Sequence, residues 1–213
     1  MLKAPVPGQV KTRIAAALGA ERACEIYRLM VERVFAEIPT AWPVEVHGAP
    51  PEKLGLLAEW LGGRAKYRAQ CSGDLGARLI HSSEAAFVAG AESVVLLGGD
   101  CPWQTRTFFH ASESALHTHD VVIGPARDGG YTLIAMKTLH RELFENIAWS
   151  SASVLHETLD RARSLGLRVA LLDVLDDVDD APTWQAARVD LFPEIPEDRP
   201  DISFKSTDHL AHS

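Results

Sequence analysis

The sequence is poor in cysteine, has no long apolar run and carries few basic residues, and each of these shortages excludes a class of protein. Its three cysteines, Cys24, Cys71 and Cys101, are odd in number and widely spaced, which argues against a disulfide framework and a cysteine-based zinc site. No stretch approaches the ~20 apolar residues that span a bilayer, and the first residues lack the apolar core of a signal peptide. We therefore expect a cytoplasmic protein with no membrane partner.

The charge balance excludes a second class of partner. Lysine and arginine total 21 and aspartate and glutamate total 29, so the formal net charge is −8. An acidic chain has no general attraction for a phosphate backbone, and we expect no nucleic-acid partner. With 213 residues and a hydrophobic share of 46%, the chain is typical of one globular domain.

Helical and strand periods alternate along the chain. Helices are predicted over residues 21–38, 52–61, 75–89, 105–116 and 151–165, and strands over 43–46, 93–97, 120–124, 131–136 and 167–172. This alternation predicts a three-layer α/β/α sandwich around a mostly parallel sheet, contained in residues 1–189. Residues 190–213 include several prolines and few apolar residues, so we predict a peripheral or disordered tail there.

Two predicted strands end in a carboxylate beside glycines. In open α/β sheets, ligands bind beyond the carboxyl ends of the strands, and Asp100 stands at such an end after Gly98-Gly99. Its carboxylate could bind a divalent cation, or it could cap a turn or helix. Asp128-Gly129-Gly130 follows the next strand and is first of all the signal of a hairpin turn.

A third group of carboxylates follows the last predicted strand. Asp176, Asp177, Asp179 and Asp180 lie within five positions, where their charges repel unless a cation or solvent relieves them. In an extended segment Asp177 and Asp179 point the same way, because side chains alternate along a strand. A Mg²⁺ ion shared with Asp100 is one explanation, and a solvated acidic loop is the other.

Basic residues are concentrated near the N-terminus. Lys3, Lys11 and Arg13 belong to a loop with prolines and Gly8 that opens into a helix. Backbone N–H groups at the start of a helix, together with lysine and arginine, suit a phosphate group. The loop does not match the GxxxxGK[ST] pattern of a P-loop, and a solvated loop is the alternative.

The chain resembles the DUF2064 family, also called radical-SAM/selenodomain-associated transferase 1, in six segments that follow the family's order: residues 3–14, 73–79, 98–102, 124–131, 149–150 and 177–179. That family belongs to the nucleotide-diphospho-sugar transferase (GT-A) superfamily. The resemblance extends from Lys3 to Trp184 and implies a Rossmann-like GT-A fold. It implies a glycosyltransferase that moves a sugar from a nucleotide-diphospho-sugar donor to a small-molecule acceptor, with Mg²⁺ or Mn²⁺ as cofactor.

A second similarity leaves an alternative reaction open. The chain is also similar to the 2-phospho-lactate guanylyltransferases, which implies nucleotidyl transfer from a nucleoside triphosphate to a small phosphorylated or carboxylate substrate. The residues themselves do not separate glycosyl from nucleotidyl transfer. The pair Asp177 and Asp179, late in the chain, favours nucleotidyl transfer, whereas the family favours glycosyl transfer.

The resemblance also implies a role for individual residues. The nucleotide and its phosphates would lie against Pro7, Gly8, Lys11, Thr12, Arg13, Asp74, Arg78, Gly98 and Gly99. The acceptor would lie against Gly129, Gly130, Tyr131, Trp149 and Ser150. Asp100 and Asp179 would hold the metal ion, and Asp100, Asp128 and Lys11 would be catalytic.

Two departures from the family pattern bear on these expectations. Only Met1 and Leu2 precede Lys3, where the family has an apolar strand, so we expect a truncated first strand. Asp180-Ala181-Pro182 replaces the Thr-Pro-Glu that commonly follows Asp179. Because of the short first strand, a catalytically idle nucleotide-binding protein is a third hypothesis beside the two transferases.

Overall fold

Capping side chains set where several helices begin. In the computed structural model, which describes residues 1–196, the helices are α1 (Thr12–Leu18), α2 (Ala20–Glu37), α3 (Leu54–Leu61), α4 (Leu75–Val88), α5 (Arg106–Leu116), α6 (Val154–Ser164) and α7 (Ala181–Leu191). Asp74, the predicted cap of α4, accepts a hydrogen bond from the Ala77 amide (2.8 Å). Asp180 and Thr183 form a reciprocal capping box at α7. None of the helices within residues 1–196 has the length and apolar composition that a membrane crossing requires.

The strands form two hydrogen-bonded sheets. They are β1 (Leu2–Lys3), β2 (Val44–Ala49), β3 (Ala65–Ala69), β4 (Val94–Leu97), β5 (Val121–Pro125), β6 (Tyr131–Met136) and β7 (Val169–Leu171). The first sheet is parallel with the order β1-β2-β3. The second has the order β4-β6-β5-β7, in which β6 is antiparallel to both neighbours and β5 is parallel to β7. The Met1 amino group donates to the Leu97 carbonyl (2.8 Å) and links the two sheets.

Helices cover both faces of the second sheet. Val121 and Ile123 of β5 pack in an apolar cluster with residues of α4 and α6, whereas Val122 packs in another cluster with α5. Successive side chains of a strand point to opposite faces, so β5 is buried on both. The predicted three-layer α/β sandwich with a mostly parallel sheet is confirmed.

The reversal of β6 arises from a tight turn at residues 126–130. The Ala126 amide donates to the Gly130 carbonyl (3.0 Å), and the Gly129 amide donates to the Ala126 carbonyl (3.2 Å). The predicted Asp-Gly-Gly hairpin is therefore confirmed. The turn lies at the carboxyl end of β5, on the same edge as the carboxyl ends of β4 and β7.

Four elements lie outside the predicted spans: β1, β3, α1 and α7. The edge strand β3 has one neighbour and a mixed polar sequence, so it lacks the apolar pattern of a covered strand. The helix α1 has seven residues, too few for a periodic apolar stripe. The other predicted elements are confirmed, with ends that differ by at most three residues.

The predicted tail is wrong for residues 190–196. The helix α7 continues to Leu191, and Phe192 and Ile195 beyond it are buried at 6% and 9% exposure. The Phe192 ring packs against Trp184 with ring centroids 5.6 Å apart, and this contact holds the segment on the core. The rest of the predicted tail, residues 197–213, lies outside the described residues.

Candidate active site

Three loops meet at one lysine. Lys11 ends the loop after β1, Asp100 follows β4, and Asp179 follows β7. The Lys11 Nζ lies 3.0 Å from Asp100 Oδ1 and 2.8 Å from Asp179 Oδ1. The lysine side chain is 6% exposed, whereas the two carboxylates are about half exposed. The structure thus brings together three residues that the sequence predicted to be catalytic or metal-binding.

Lys11 has an unusual backbone and a buried charge. Its backbone is left-handed (φ 45°, ψ 51°) immediately before α1, a conformation that is costly for a residue other than glycine. Burial would lower the pKa of the Lys11 ammonium, but the Asp100 and Asp179 carboxylates outweigh burial and raise that pKa. Lys11 therefore remains a positive charge at the carboxyl ends of the strands.

Asp177 is crowded by other carboxylates. Burial raises the pKa of Asp177, and the charges of Asp100, Asp128 and Asp179 raise it further, to about 7, against the opposing effect of Lys11. The four carboxylates thus lie close enough to influence one another. Their negative charge exceeds what the Lys11 ammonium can neutralise, which favours the approach of a further cation.

The turn that carries Asp100 is anchored from three directions. The Val178 amide donates to the Asp100 carbonyl (2.9 Å) and ties the turn to the acidic segment. The Arg33 guanidinium donates to the Pro102 carbonyl (3.0 Å). A Cβ on Gly99 would lie 2.6 Å from a valine methyl of α2, so the turn approaches that helix as closely as only glycine allows. These contacts hold Asp100 in a defined position.

The turn that carries Asp128 is anchored by its own side chain and by α6. Asp128 Oδ1 accepts from the Gly130 amide (2.8 Å), and the Leu155 amide donates to the Gly129 carbonyl (2.9 Å). Gly129 has φ +91°, and a Cβ there would lie 2.2 Å from the Ala152 carbonyl oxygen. Both the backbone conformation and the space therefore require glycine at this position.

We expect Gly129→Ala to destabilise the protein by about 2–5 kcal/mol, because the left-handed backbone and the clash with a carbonyl both oppose it. Thermal unfolding measures the effect. Gly90→Ala is the matched control: Gly90 has φ +94° but nothing within 4 Å of its Cβ position, so it reports the backbone cost alone. Equal losses for the two variants would show that the close approach of Ala152, before α6, is unimportant.

The helix α4 presents Arg78 beside β1. Arg78 Nη1 donates to Gln70 Oε1 (3.1 Å), and Gln70 Nε2 donates to the carbonyls of Leu2 (3.1 Å) and His47 (2.8 Å). Arg78 Nε is buried and has no hydrogen-bond partner within residues 1–196. Sequence reasoning missed Gln70, because a glutamine after an edge strand carries no spacing signal. Asp74, predicted beside the nucleotide, is exposed and serves as the cap of α4.

Aromatic residues line the predicted acceptor side. The rings of Tyr131 and Trp149 meet edge to face, with centroids 6.3 Å apart. Trp149 Nε1 lies 3.0 Å from the Cβ position of Gly76, so the indole covers the first turn of α4. Burial raises the pKa of the Tyr131 hydroxyl. Ser150 is exposed and has a left-handed backbone with φ 66°.

The remaining predicted residues are near Lys11 or Asp100 in the sequence, and no contact defines their roles in the part of the chain that the structure describes. Pro7, Gly8, Thr12 and Arg13 are exposed, and Gly98 is partly exposed. Hydrogen bonds from Thr183 lower the pKa of Asp180, and the charge of Arg13 adds to that effect. Arg13 therefore lies near the acidic segment, while its phosphate contact stays a prediction.

The two predicted metal ligands lie beside a positively charged side chain of the protein itself. Asp100 and Asp179 contact the same ammonium of Lys11. Within the described residues, no group of three or more histidine, cysteine, aspartate or glutamate side chains is placed to hold a metal ion. An ion bound to Asp100 and Asp179 would need further ligands from substrate or water.

The fold is that of an α/β protein similar to nucleotide-diphospho-sugar transferases. A protein from Desulfovibrio desulfuricans G20 that is assigned to these transferases has a similar structure, with a TM-score of 0.77. It is 32% identical to this chain over 84% of this chain and 81% of its own. The family model described as an uncharacterized protein conserved in bacteria (DUF2064) matches residues 35–151. The chain therefore belongs to the DUF2064 family, as predicted.

Two more distant structures share the fold. One is a 4-diphosphocytidyl-2C-methyl-D-erythritol synthase from Anaerococcus prevotii DSM 20548, with a TM-score of 0.56, 16% identity, and coverage of 88% of this chain and 94% of its own. The other is a CMP:2-keto-3-deoxy-manno-octonic acid synthetase complexed with CTP, with a TM-score of 0.52, 13% identity, and coverage of 79% and 88%. At these identities the similarity concerns the fold alone. No curated protein matches the sequence significantly.

Proposed function

We propose that this chain transfers a group from a nucleotide-activated donor to a small-molecule acceptor, and that the group is a sugar from a nucleotide-diphospho-sugar. The observation that carries the proposal is the meeting of Lys11, Asp100 and Asp179 at the carboxyl ends of β1, β4 and β7. Open α/β sheets bind their ligands at this edge. The 32% identical relative assigned to the nucleotide-diphospho-sugar transferases supports the same class of reaction.

Lys11 would bind the phosphates of the donor. Its ammonium contacts two carboxylates in the structure, and phosphate oxygens are strong acceptors that can share or replace those contacts. Its raised pKa keeps it charged at neutral pH. The diphosphate gains negative charge as it leaves, and a positive group fixed beside it stabilises that charge. Arg13 would supply a second positive charge from the exposed start of α1.

The carboxylates of Asp100 and Asp179 fit a divalent cation. Mg²⁺ in proteins is commonly held by one or two carboxylates and completes its shell with substrate phosphates and water. Both side chains are accessible, at 50% and 52% exposure. When bound there, Mg²⁺ or Mn²⁺ would neutralise the departing diphosphate. Lys11 would then give up part of its contact with the two carboxylates and turn its hydrogen bonds to phosphate.

Asp128 would act as the general base for the acceptor. Its carboxylate is exposed at the carboxyl end of β5, and the Gly130 amide orients one of its oxygens. An acceptor hydroxyl must lose its proton as it attacks, and a carboxylate placed on that side can take it. Tyr131 and Trp149 would form the apolar wall of this side of the site.

Nucleotidyl transfer is the second candidate, and the position of Asp179 favours it. Asp179 comes from a different loop than Asp100 but contacts the same Lys11 Nζ. Two carboxylates from separate loops suit a cation that bridges the phosphates of a nucleoside triphosphate. The acceptor phosphate or carboxylate would then attack the α-phosphorus, and pyrophosphate would leave.

The reaction products distinguish glycosyl transfer from nucleotidyl transfer. The protein is incubated with nucleotide sugars or nucleoside triphosphates, small acceptors and Mg²⁺ or Mn²⁺, and the released phosphates are identified. A nucleoside diphosphate formed from a nucleotide sugar supports glycosyl transfer, whereas pyrophosphate formed from a triphosphate supports nucleotidyl transfer. Binding of donors without any turnover, across both donor classes, would support an idle nucleotide-binding protein instead.

We expect Mg²⁺ to raise the melting temperature of the native protein at neutral pH by about 5–10 °C when its concentration is 100 times the dissociation constant. The gain should fade on acidification, because metal-binding carboxylates must be deprotonated. Asp179→Ala should abolish the gain. Asp176→Ala is the matched control, because Asp176 belongs to the same acidic segment but pairs with the exposed Arg127 (2.6 Å). An unchanged response in Asp179→Ala would confine the ion to Asp100.

A further inference from the structure

Gln104 is a fully buried polar residue in the loop between β4 and α5. Its side chain is 0% exposed, and its Nε2 donates to the Thr132 carbonyl of β6 (3.1 Å). Its backbone amide donates to the Cys101 carbonyl (3.3 Å), in the turn that carries Asp100. Its Oε1 has no hydrogen-bond partner in the part of the chain that the structure describes. Gln104 Nε2 therefore connects the loop after β4 to β6, whereas Gln104 Oε1 has no partner among the described residues.

The carbonyl that Gln104 binds belongs to a β-bulge. Gly124 of β5 pairs with Leu133, but Pro125 pairs with Tyr131, so Thr132 is an extra residue on β6. On the other side of β6, the pairing of β4 ends where Leu97 faces Leu133. Thr132 therefore lies beyond the β4 ladder and is unpaired within the β5 ladder. Gln104 Nε2 supplies the hydrogen bond that a strand would otherwise give to the Thr132 carbonyl.

This bulge lies between the two turns of the candidate site. The turn with Asp128 ends directly before Tyr131, and the turn with Asp100 begins directly after Leu97. Bulges bend a strand and are frequent beside active sites, where they aim a side chain. A hydrogen bond from one turn to the bulge that follows the other therefore connects the two turns.

We propose that Gln104 is a positioning residue that holds the Asp128 turn, on the acceptor side, at the correct distance from the Asp100 turn, on the donor side; its effect on turnover rests on the proposed transferase function. A buried acceptor without a partner costs stability. A methionine of similar size would fill the space without that cost. The glutamine is therefore better explained by the hydrogen bond that it gives to the bulge than by packing.

The kinetic test compares Gln104→Met with the native enzyme. Donor affinity should stay within about twofold, because Lys11 and Asp100 are untouched, while turnover should fall by about 10- to 100-fold from misplacement of the acceptor side. Ser112→Ala is the matched control: Ser112 is also 0% exposed, lies in α5 and donates within that helix, to the Phe109 carbonyl (2.7 Å). Equal losses of donor affinity and turnover in Gln104→Met, or the same loss in both variants, would overturn the proposal.

Two measurements do not depend on any activity. Amide hydrogen exchange of residues 124–133 should accelerate in Gln104→Met but not in Ser112→Ala, and acceleration spread evenly over α5 and β4 would contradict the proposal. In the native protein, the Gln104 side-chain amide protons should exchange slowly, and rapid exchange would contradict it even if the variant fails to fold. If the native enzyme turns over no donor, the proposed function fails, and these exchange data still decide whether Gln104 holds the bulge.

Discussion

Asp100→Asn is expected to lower turnover of a nucleotide-activated donor by about 100-fold or more, with a melting temperature within about 2 °C of the native protein. The amide keeps the shape of the side chain, and the Asp100 backbone carbonyl keeps its bond to the Val178 amide. Lys11 keeps Asp179 as a partner. What is lost is a negative charge that a cation needs, so metal-dependent donor binding should weaken most.

Titration of the donor with and without Mn²⁺ checks this expectation, together with a thermal melt. Asp160→Asn is the matched control, because it makes the same replacement at a surface aspartate that pairs with Arg163 on α6. Native donor affinity and turnover in Asp100→Asn, with metal present, would reduce Asp100 to a turn residue. A large loss of stability would instead mean that its ion pair with Lys11 holds the fold.

Lys11→Ala is expected to weaken nucleoside diphosphate binding by about 10- to 100-fold while binding of the nucleoside changes little. A charge-assisted hydrogen bond of ~1.5–3 kcal/mol is lost only when phosphate is present. The loss also leaves Asp100 and Asp179 without their shared ammonium, so the bare site repels phosphate more strongly. For the same reason the variant should bind Mg²⁺ more tightly than the native protein does.

Calorimetric titrations with nucleoside, nucleoside diphosphate and Mg²⁺ measure the three effects. Lys53→Ala is the matched control, since Lys53 is partly exposed and contacts Gln9 of the same loop (3.1 Å) rather than the carboxylate cluster. Equal losses of affinity for the nucleoside and the nucleoside diphosphate would indicate that Lys11 contacts the base rather than the phosphates. Unchanged Mg²⁺ affinity would mean that the ammonium and the metal do not compete for these carboxylates.

The local sequence pattern was sufficient to predict the elements that have a strong hydrophobic period or a capping residue. The apolar stripe of α2, the Asp74 cap of α4, the apolar strand β5 and the hairpin at residues 126–130 are all present as predicted. Each of these signals lies within a few consecutive residues. The span of the short helix α1 was not predicted and the edge strand β3 was missed, because neither is long or apolar enough to show a period.

Contacts between distant segments could not be read from spacing. The sequence indicated separately a basic loop at Lys11, a carboxylate at Asp100 and an acidic run at residues 176–180. It did not indicate that one ammonium contacts Asp100 and Asp179, because these residues are far apart in the chain. The prediction for residues 190–196 was wrong for a related reason: Phe192 and Ile195 are buried because they pack in an apolar cluster with Trp184 and with residues of α2, which are distant in the chain.

The fold class, the direction of most strands and the edge of the sheet at which chemistry is expected thus follow from residue order, since periodicity and strand-end carboxylates are local properties. The tertiary fold settles the charge pairing at Lys11, the crowding of Asp177 and the hydrogen bond from Gln104 to the bulge at Thr132. These depend on which loops meet when the two sheets and their helices pack. The electrostatic state of a site is a sum over neighbours in space, and most of those neighbours are remote in the chain.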